Sequence, residues 1–179
     1  FGAQLDEASP REGVLDLSDV IDKAQRVRAM GGVPVVTLSK MPAWLARPVP
    51  PGCRETRRGV PCVSSAMGPT DYDKWGRLVD DVVTTLAGHG VYAYEVWNEP
   101  NNVRSWADTE DRFLTTAFAT HVAVDRARRD TGLLLAIGGP ATGEVSDLLD
   151  RYIYTTHPDF ISWHDYAKDP TAYRDDAAK

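Results

Sequence analysis

Apolar residues along the chain fall into two kinds of segment, and the two kinds alternate. One kind repeats its apolar residues every three or four positions, which predicts amphipathic helices. The other is a short, continuous apolar run, typical of a strand buried on both faces. The predicted helices are residues 18–30, 71–87, 109–130 and 143–157. The predicted strands are residues 33–39, 91–97, 132–139 and 159–166. This alternation predicts a parallel sheet covered by helices.

Two α/β architectures are compatible with this order, an open doubly wound sheet and a (β/α)8 TIM barrel. A dinucleotide-binding doubly wound sheet needs a glycine-rich phosphate loop directly after a strand. The nearest approach is Gly138-Gly139-Pro140, in which the proline does not fit such a loop. The barrel is therefore the predicted fold. Residues 1–6 (FGAQLD) are a candidate for one more of its strands.

Side chains capable of chemistry follow several of the predicted strands, at the point where each strand ends. In a (β/α)8 barrel the carboxyl ends of the strands carry the active site. We therefore expect these side chains to face one pocket. They are Ser39 and Lys40, then Asn98 and Glu99, then His164, Asp165 and Tyr166.

Parity along the strand at 91–97 refines this expectation. Side chains alternate along a strand, so Glu95, Trp97 and Glu99 are predicted to share the barrel interior, with Glu99 at the mouth. Glu95 would lie deeper, where an ionised carboxylate needs a partner. The sequence leaves two ways to stabilise Glu95, an arginine outside this chain and protonation of its own carboxyl group. The alternative interpretation of Asn98-Glu99-Pro100 is a surface turn.

Composition and charge narrow the class of partner. The net charge is −6, and the arginines that cluster in one loop, at 54, 57 and 58, are interpreted as solvated, so no nucleic-acid partner is predicted. No apolar run approaches the ~20 residues that cross a bilayer, so no membrane association is predicted. The histidines are scattered along the chain, and neither a metal nor another cofactor is predicted. The histidines are His89, His121, His157 and His164.

Two cysteines, Cys53 and Cys62, lie in a long proline-rich loop, residues 41–69. They are a candidate disulfide, and two unpaired thiols are the alternative. A disulfide would imply an oxidising compartment and so favour a secreted or extracytoplasmic location. The compartment itself stays open.

Five motifs, taken in order, resemble glycoside hydrolase family 39, the β-xylosidase and α-L-iduronidase group of the retaining (β/α)8 glycosidases. The resemblance covers residues 15–166. Asn-Glu-Pro alone also occurs in other barrel hydrolases such as family 5-like endoglycanases, whereas the ordered set is more specific. The motifs are MPAWLA (41–46), YDKW (72–75), YEVWNEPN (94–101) with Trp106 after it, IGGPAT (137–142) and DFISWHDY (159–166).

The resemblance implies a role for each matching residue. Residues 91–97 would be barrel strand four, so the chain would hold approximately strands 2 or 3 to 6. Glu99 would be the general acid/base, and Asn98 would bind the sugar 2-hydroxyl. A retaining hydrolysis uses two carboxyl groups ~5 Å apart, one protonating the leaving oxygen and the other attacking the anomeric carbon. The substrate would be a carbohydrate such as a β-xyloside.

Further residues are candidates for contact with the substrate. His164 and Tyr166 would lie at the end of strand six, and Trp44 and Trp106 in loops on the same side could stack on sugar rings. Packing is the alternative for both tryptophans, and a structural role is the alternative for His164.

The chain departs from the family in its acidic residues. The family's nucleophile is a glutamate after strand seven, but no glutamate follows Glu144, which lies beside the end of strand five. Asp165 and Asp169 belong to strand six. We therefore expect residues 1–179 to be one incomplete barrel domain, completed by a remaining barrel segment or by a complementing chain. The alternative is a non-catalytic carbohydrate-binding or scaffold protein with a degenerate barrel.

Overall fold

Strands in chain order pair side by side in one parallel sheet. The computed structural model of the protein describes residues 1–54, 59–143 and 146–164. In these residues the sheet has five strands in the order β1-β2-β3-β4-β5. Each strand runs parallel to its neighbour, the arrangement of consecutive strands in a (β/α)8 barrel. The strands are β1 (Gly2–Gln4), β2 (Val35–Ser39), β3 (Ala93–Val96), β4 (Ala136–Thr142) and β5 (Phe160–Trp163).

Helices fill each connection between consecutive strands. A short helix and a longer one both precede β2, and one helix precedes each later strand. A 3-10 turn, Ser64–Ala66, lies in the long loop between β2 and the helix that begins at Tyr72. The helices are α1 (Leu5–Ala8), α2 (Ser18–Ala29), α3 (Tyr72–Gly88), α4 (Glu110–Thr131) and α5 (Asp147–Thr156). No helix in the described ranges is both long and apolar enough to cross a membrane.

The predicted elements are present, with three corrections. The candidate strand in residues 1–6 is β1, and the four-residue helix α1 directly after it was not predicted. The apolar run at 132–139 begins as a connection, since Gly132 ends α4 in the left-handed conformation and Leu134 is 97% exposed. β4 therefore starts and ends later than predicted, and α5 begins only at Asp147.

Asp71 caps the N-terminus of α3. Its carboxylate accepts hydrogen bonds from the backbone N–H groups of Asp73 and Lys74, both at 2.9 Å. The hydroxyl of the preceding residue, Thr70, donates to the carbonyl of Leu45. A side-chain oxygen at the cap position satisfies N–H groups that have no partner inside the helix.

The hydrophobic core lies between the sheet and its helices. On this face, Val36, Leu38, Tyr94 and Ile137 are almost fully buried with residues of the helices. The hydroxyl of Tyr94 donates to the carbonyl of Val83 in α3, which identifies the helix-facing side of the sheet. The odd-numbered positions of β2 and β3 therefore face the barrel interior.

Register aligns one layer of residues across that interior face. Thr37 is opposite Glu95, and Glu95 is opposite Gly138. Gly138 is opposite Phe160, and a Cβ at residue 138 would lie 2.2 Å from the Phe160 carbonyl oxygen. Only glycine fits at this position, because β4 and β5 approach too closely for any side chain.

A continuous chain of aromatic rings fills the core on the helix side. Trp97 packs against Trp75 of α3 and against Trp106, with ring centroids 6.3 Å and 5.1 Å apart. Trp106 continues to Phe113 of α4, and Phe113 to Tyr152 of α5. Trp97 was predicted to share the interior side with Glu95. It lines the strand-end cavity together with Glu95, but its ring is almost fully buried and packs toward the helices, and its φ of +62° breaks the regular alternation after Val96.

Candidate active site

The chain turns sharply where β3 ends. Trp97 and Glu99 have φ values of +62° and +46°, a backbone region that residues other than glycine rarely adopt. Tertiary hydrogen bonds stabilise this conformation. The N–H of Trp97 donates to the carbonyl of Leu38, and that of Glu99 donates to the carbonyl of Ala141. The loop after β3 is thus attached to the ends of both neighbouring strands.

The end of β4 places Glu99 and His164 beside each other. Ala141 accepts the N–H of Glu99 at 2.9 Å, and the next residue, Thr142, accepts the N–H of His164 at 2.7 Å. Nδ1 of His164 lies 2.9 Å from Oε1 of Glu99. Which of the two atoms carries the proton depends on the histidine tautomer.

The other carboxyl oxygen of Glu99 contacts Asn102. The amide nitrogen Nδ2 of Asn102 donates to Oε2 of Glu99 at 3.3 Å. The side chain of Glu99 is 17% exposed and that of His164 is 35% exposed. The carboxyl group is therefore partly buried, between two polar side chains, and still open to solvent.

Glu95 lies one layer deeper and has two hydroxyl partners. Thr37 donates to its Oε2 at 2.8 Å, and Ser162 donates to its Oε1 at 2.7 Å. The sequence left an arginine or a protonated carboxyl group as the candidates for stabilising Glu95. The contacts among the described residues are hydroxyl groups from β2 and β5 instead. Register pairing of an inward-facing threonine with Glu95 is the signal that would have predicted the first of them.

A polar cavity of about 420 Å³ opens at this end of the sheet. Glu95, Asn98 and His164 all line it, and the ends of β1 and β2 contribute further polar groups. Asn98 and His164 thus share this cavity, and Glu99 adjoins it through its contact with His164. The remaining polar lining residues are Gln4, Thr37, Ser39, Lys40 and Ser105.

The two tryptophans proposed as stacking faces lie elsewhere. Trp106 is 3% exposed, and its indole N–H donates to the carbonyl of Thr109, so its ring is part of the core. Trp44 is half-buried, and its indole N–H donates to the carbonyl of Ser9. It lines a separate cavity of about 230 Å³ between the α1–α2 loop and α3. Neither ring lines the cavity at the strand ends.

Tyr166 lies outside the described residues, as do Asp165, Asp169 and Glu144. The same is true of Arg57 and Arg58 in the long loop.

The long loop contains the disulfide, which joins Cys53 to Cys62. Its two arms also pair through the backbone, since the N–H of Cys62 donates to the carbonyl of Cys53 at 3.1 Å.

Within the described ranges, no group of three or more histidine, cysteine, aspartate or glutamate side chains is arranged to hold a metal ion.

A carboxyl group in such surroundings is suited to proton transfer. Glu99 contacts His164, which lines the cavity, and its two polar neighbours restrict its orientation. General acid–base catalysis needs a titratable group in a defined orientation within hydrogen-bonding distance of the reacting atom.

Comparison with known proteins identifies relatives of the chain. The model of glycosyl hydrolases family 39 matches residues 25–176. A β-xylosidase of Geobacillus stearothermophilus is 30% identical over 110 residues, which are 55% of this chain and 21% of that protein. The chain therefore spans about a fifth of this relative.

Solved structures with the same fold are also longer than this chain. A GH39 enzyme from Xanthomonas axonopodis pv. citri superposes with a TM-score of 0.66 at 20% identity, covering 99% of this chain and 39% of that one. A glucosidase from Croceicoccus marinus gives a TM-score of 0.65 at 19% identity, covering 97% and 36%. At these identities the likeness shows a shared fold alone.

Proposed function

Because the chain belongs to glycosyl hydrolases family 39, we propose that its protein hydrolyses glycosidic bonds with retention of configuration. In this proposal the chain contributes the general acid/base half of the active site. The observation that carries it is the placement of Glu99, which follows β3 and contacts His164 beside the polar cavity at the strand ends. The carboxyl ends of the strands are where (β/α)8 enzymes place their catalytic groups.

Glu99 has two tasks in this mechanism. Its carboxylic acid donates a proton to the glycosidic oxygen while the bond between that oxygen and the anomeric carbon breaks. A second carboxylate attacks the anomeric carbon and forms a glycosyl-enzyme. The carboxylate of Glu99 then removes a proton from water, which attacks the same carbon and releases the nucleophile.

Asn98 and His164 have supporting roles in the proposal. Both line the cavity beside the turn that holds Glu99. Asn98 binds the sugar 2-hydroxyl, in a hydrogen bond that strengthens as the ring gains oxocarbenium character. His164 contacts the sugar and orients Glu99 through Nδ1. Tyr166, two residues after His164, is proposed to contact the substrate as well.

The nucleophile is proposed to come from a strand that follows β5 in the barrel. Among the described residues, the carboxylate that lines the cavity is Glu95, whose oxygens both accept hydroxyl hydrogen bonds. If β3 is barrel strand four, β1 to β5 are strands two to six. The remaining strands then come from the same polypeptide or from a complementing chain.

A β-xyloside is the proposed substrate class, on the likeness to the β-xylosidase. Trp44 remains a candidate sugar contact only for a unit bound outside the main cavity, since it lines the separate cavity near Ser9. The buried ring of Trp106 is assigned to packing.

The test compares leaving groups on the full-length protein. Glu99→Gln should slow hydrolysis of a phenyl β-xyloside by about 10²–10⁴-fold, because a poor leaving group needs the proton. The loss should be much smaller for a dinitrophenyl β-xyloside, whose leaving group departs without protonation. Azide should partly restore the rate with the dinitrophenyl substrate and give a β-xylosyl azide.

Glu110→Gln is the matched control. Glu110 is an exposed carboxylate that pairs with Arg151, and its replacement should leave both rates unchanged. Equal rates of Glu99→Gln and wild type on the phenyl xyloside would contradict the acid/base role. Binding of xylo-oligosaccharides without any hydrolysis would favour the non-catalytic carbohydrate-binding alternative.

A secreted or extracytoplasmic location is proposed on the basis of the disulfide. Protein recovered from its native source into a thiol-blocking reagent should have Cys53 and Cys62 already oxidised. Free thiols at both positions would argue for a reducing compartment.

A further inference from the structure

The side chain of Asn102 has a defined orientation next to Glu99. Its Oδ1 accepts the backbone N–H of Arg104 at 3.1 Å. A backbone N–H is only a donor, so the atom facing it must be the amide oxygen. Nδ2 is then the atom that faces Oε2 of Glu99, at 3.3 Å.

The backbone holds Asn102 in place as firmly as the side chain does. Its N–H donates to the carbonyl of Glu99 at 2.9 Å. Its own carbonyl accepts the N–H groups of Ser105 at 2.8 Å and Trp106 at 2.9 Å. Because Trp106 belongs to the buried aromatic core, the turn that carries Asn102 is attached to that core.

An amide nitrogen distinguishes between the two oxygens of a carboxylic acid. A protonated carboxyl group has one O–H and one bare oxygen, and Nδ2 can donate only to the bare one. The acidic proton of Glu99 is thereby directed to Oε1, the oxygen beside Nδ1 of His164. When the proton leaves, the hydrogen bond from Nδ2 becomes charge-assisted and stronger.

We propose that Asn102 is a positioning residue for Glu99, which selects the oxygen that carries the proton and stabilises the carboxylate after proton transfer. This inference rests on the proposed acid/base role of Glu99. It concerns a residue outside the Asn-Glu-Pro motif, and its basis is the pair of contacts made by its amide group.

Among the described residues, several other side chains on the elements around Glu99 are charged or titratable. They are His164 after β5, Glu95 on β3, Lys40 after β2 and Arg104 in the same loop. A test must leave all of these unchanged, so the substitution is made at Asn102 itself.

Asn102→Asp is the informative variant. The aspartate keeps an oxygen for the N–H of Arg104 but places a second oxygen, with a negative charge, against Oε2 of Glu99. This should raise the pKa of Glu99, and the high-pH limb of the kcat/KM profile should move upward by about one pH unit. Asn102→Ala, which removes the donor and adds no charge, should shift the limb in the same direction by less.

Asn101→Asp is the matched control. It adds the same charge at the neighbouring residue and keeps an oxygen for the N–H of Gly143, which Asn101 accepts at 2.9 Å. The high-pH limb of the kcat/KM profile should move less in Asn101→Asp than in Asn102→Asp. If Asn102 had a purely structural role, its variants would lower the rate at every pH without moving the limb, and this result would overturn the inference.

Two further measurements separate the inference from the proposed function. If Glu99→Gln is inactive on the phenyl xyloside and the Asn102→Asp limb stays in place, the inference fails and the acid/base role stands. If Glu99→Gln is as active as wild type, the proposed function fails. An NMR titration of the Glu99 carboxyl carbon requires no turnover, and unchanged titration in Asn102→Asp and Asn102→Ala would also overturn the inference.

Discussion

Two histidines of this protein each lie 2.9 Å from an oxygen of another side chain, in regions of opposite character. His121 on α4 meets the hydroxyl of Tyr152 on α5 and is 7% exposed. Burial lowers the pKa of His121 to about 4 and raises the pKa of Tyr152 above its ordinary value. His164 meets Glu99 at the strand ends, where its side chain is 35% exposed.

The two pairs differ in their exposure to solvent. On the helix side of the sheet, burial keeps His121 neutral near pH 7, and its contact contributes to packing. On the cavity side, Glu99 and His164 keep access to solvent and thus to a substrate. A contact of the same length contributes to packing in one place and, in the proposed function, orients the acid/base in the other.

The largest expected effect is the loss of a ring from the helix side. Trp106→Ala should lower the free energy of unfolding of the full-length protein by about 3–5 kcal/mol, because it removes a buried ring that packs against Trp97 and Phe113. Trp44→Ala, at a half-buried position, should cost less. Denaturant titration of both variants measures the difference. An equal or smaller loss for Trp106→Ala would show that the aromatic core extends less far than the contacts indicate.

The next effect is a dependence of stability on pH at His121. The unfolded chain takes up a proton below pH 6.5, but the folded protein does so only near pH 4. Stability from this group is therefore complete above pH 6.5 and falls by about 3 kcal/mol as the pH drops toward 4. The carboxyl groups titrate in both wild type and His121→Leu, so their contribution cancels in the difference between the two stability profiles. His121→Leu should lack the part of the decline that comes from His121. Parallel pH profiles for the two proteins would contradict the assignment.

The smallest effect concerns the hydroxyl groups that bind Glu95 on the cavity side. Thr37→Val should cost about 1–3 kcal/mol of stability, because it leaves one carboxyl oxygen without its donor. Ser162→Ala should cost more, since its hydroxyl oxygen also accepts the N–H of Ala141. In a Glu95→Leu background, Thr37→Val should cost much less. A cost unchanged by that background would show that the threonine acts independently of Glu95.

The pattern of apolar residues was sufficient to predict the architecture. Continuous apolar runs alternating with helical stripes admit few folds other than a parallel sheet with covering helices. The pattern failed at residues 133–135, where an apolar run is a connection and not a strand. Apolar composition alone does not reveal whether a backbone segment has a neighbouring strand to pair with.

The sequence motifs were sufficient to predict which residues lie at the strand ends. Asn98 and Glu99 follow β3 and His164 follows β5. Parallel strands bring their carboxyl ends to one edge, so the proximity of these residues follows from topology. The tertiary structure decided what each neighbour does. The partners of Glu95 depend on the register among four strands, β2 to β5, which sequence does not encode locally.

Only the tertiary structure placed the aromatic residues and the positions of positive φ. A tryptophan in a loop has the same signature whether it packs or faces a ligand, and Trp106 packs because Trp97 turns toward it. That turn depends on hydrogen bonds from Trp97 and Glu99 to residues far away in the sequence, Leu38 and Ala141. Local sequence specifies the elements and their order, whereas long-range contacts decide which side of the sheet a side chain faces once a strand has ended.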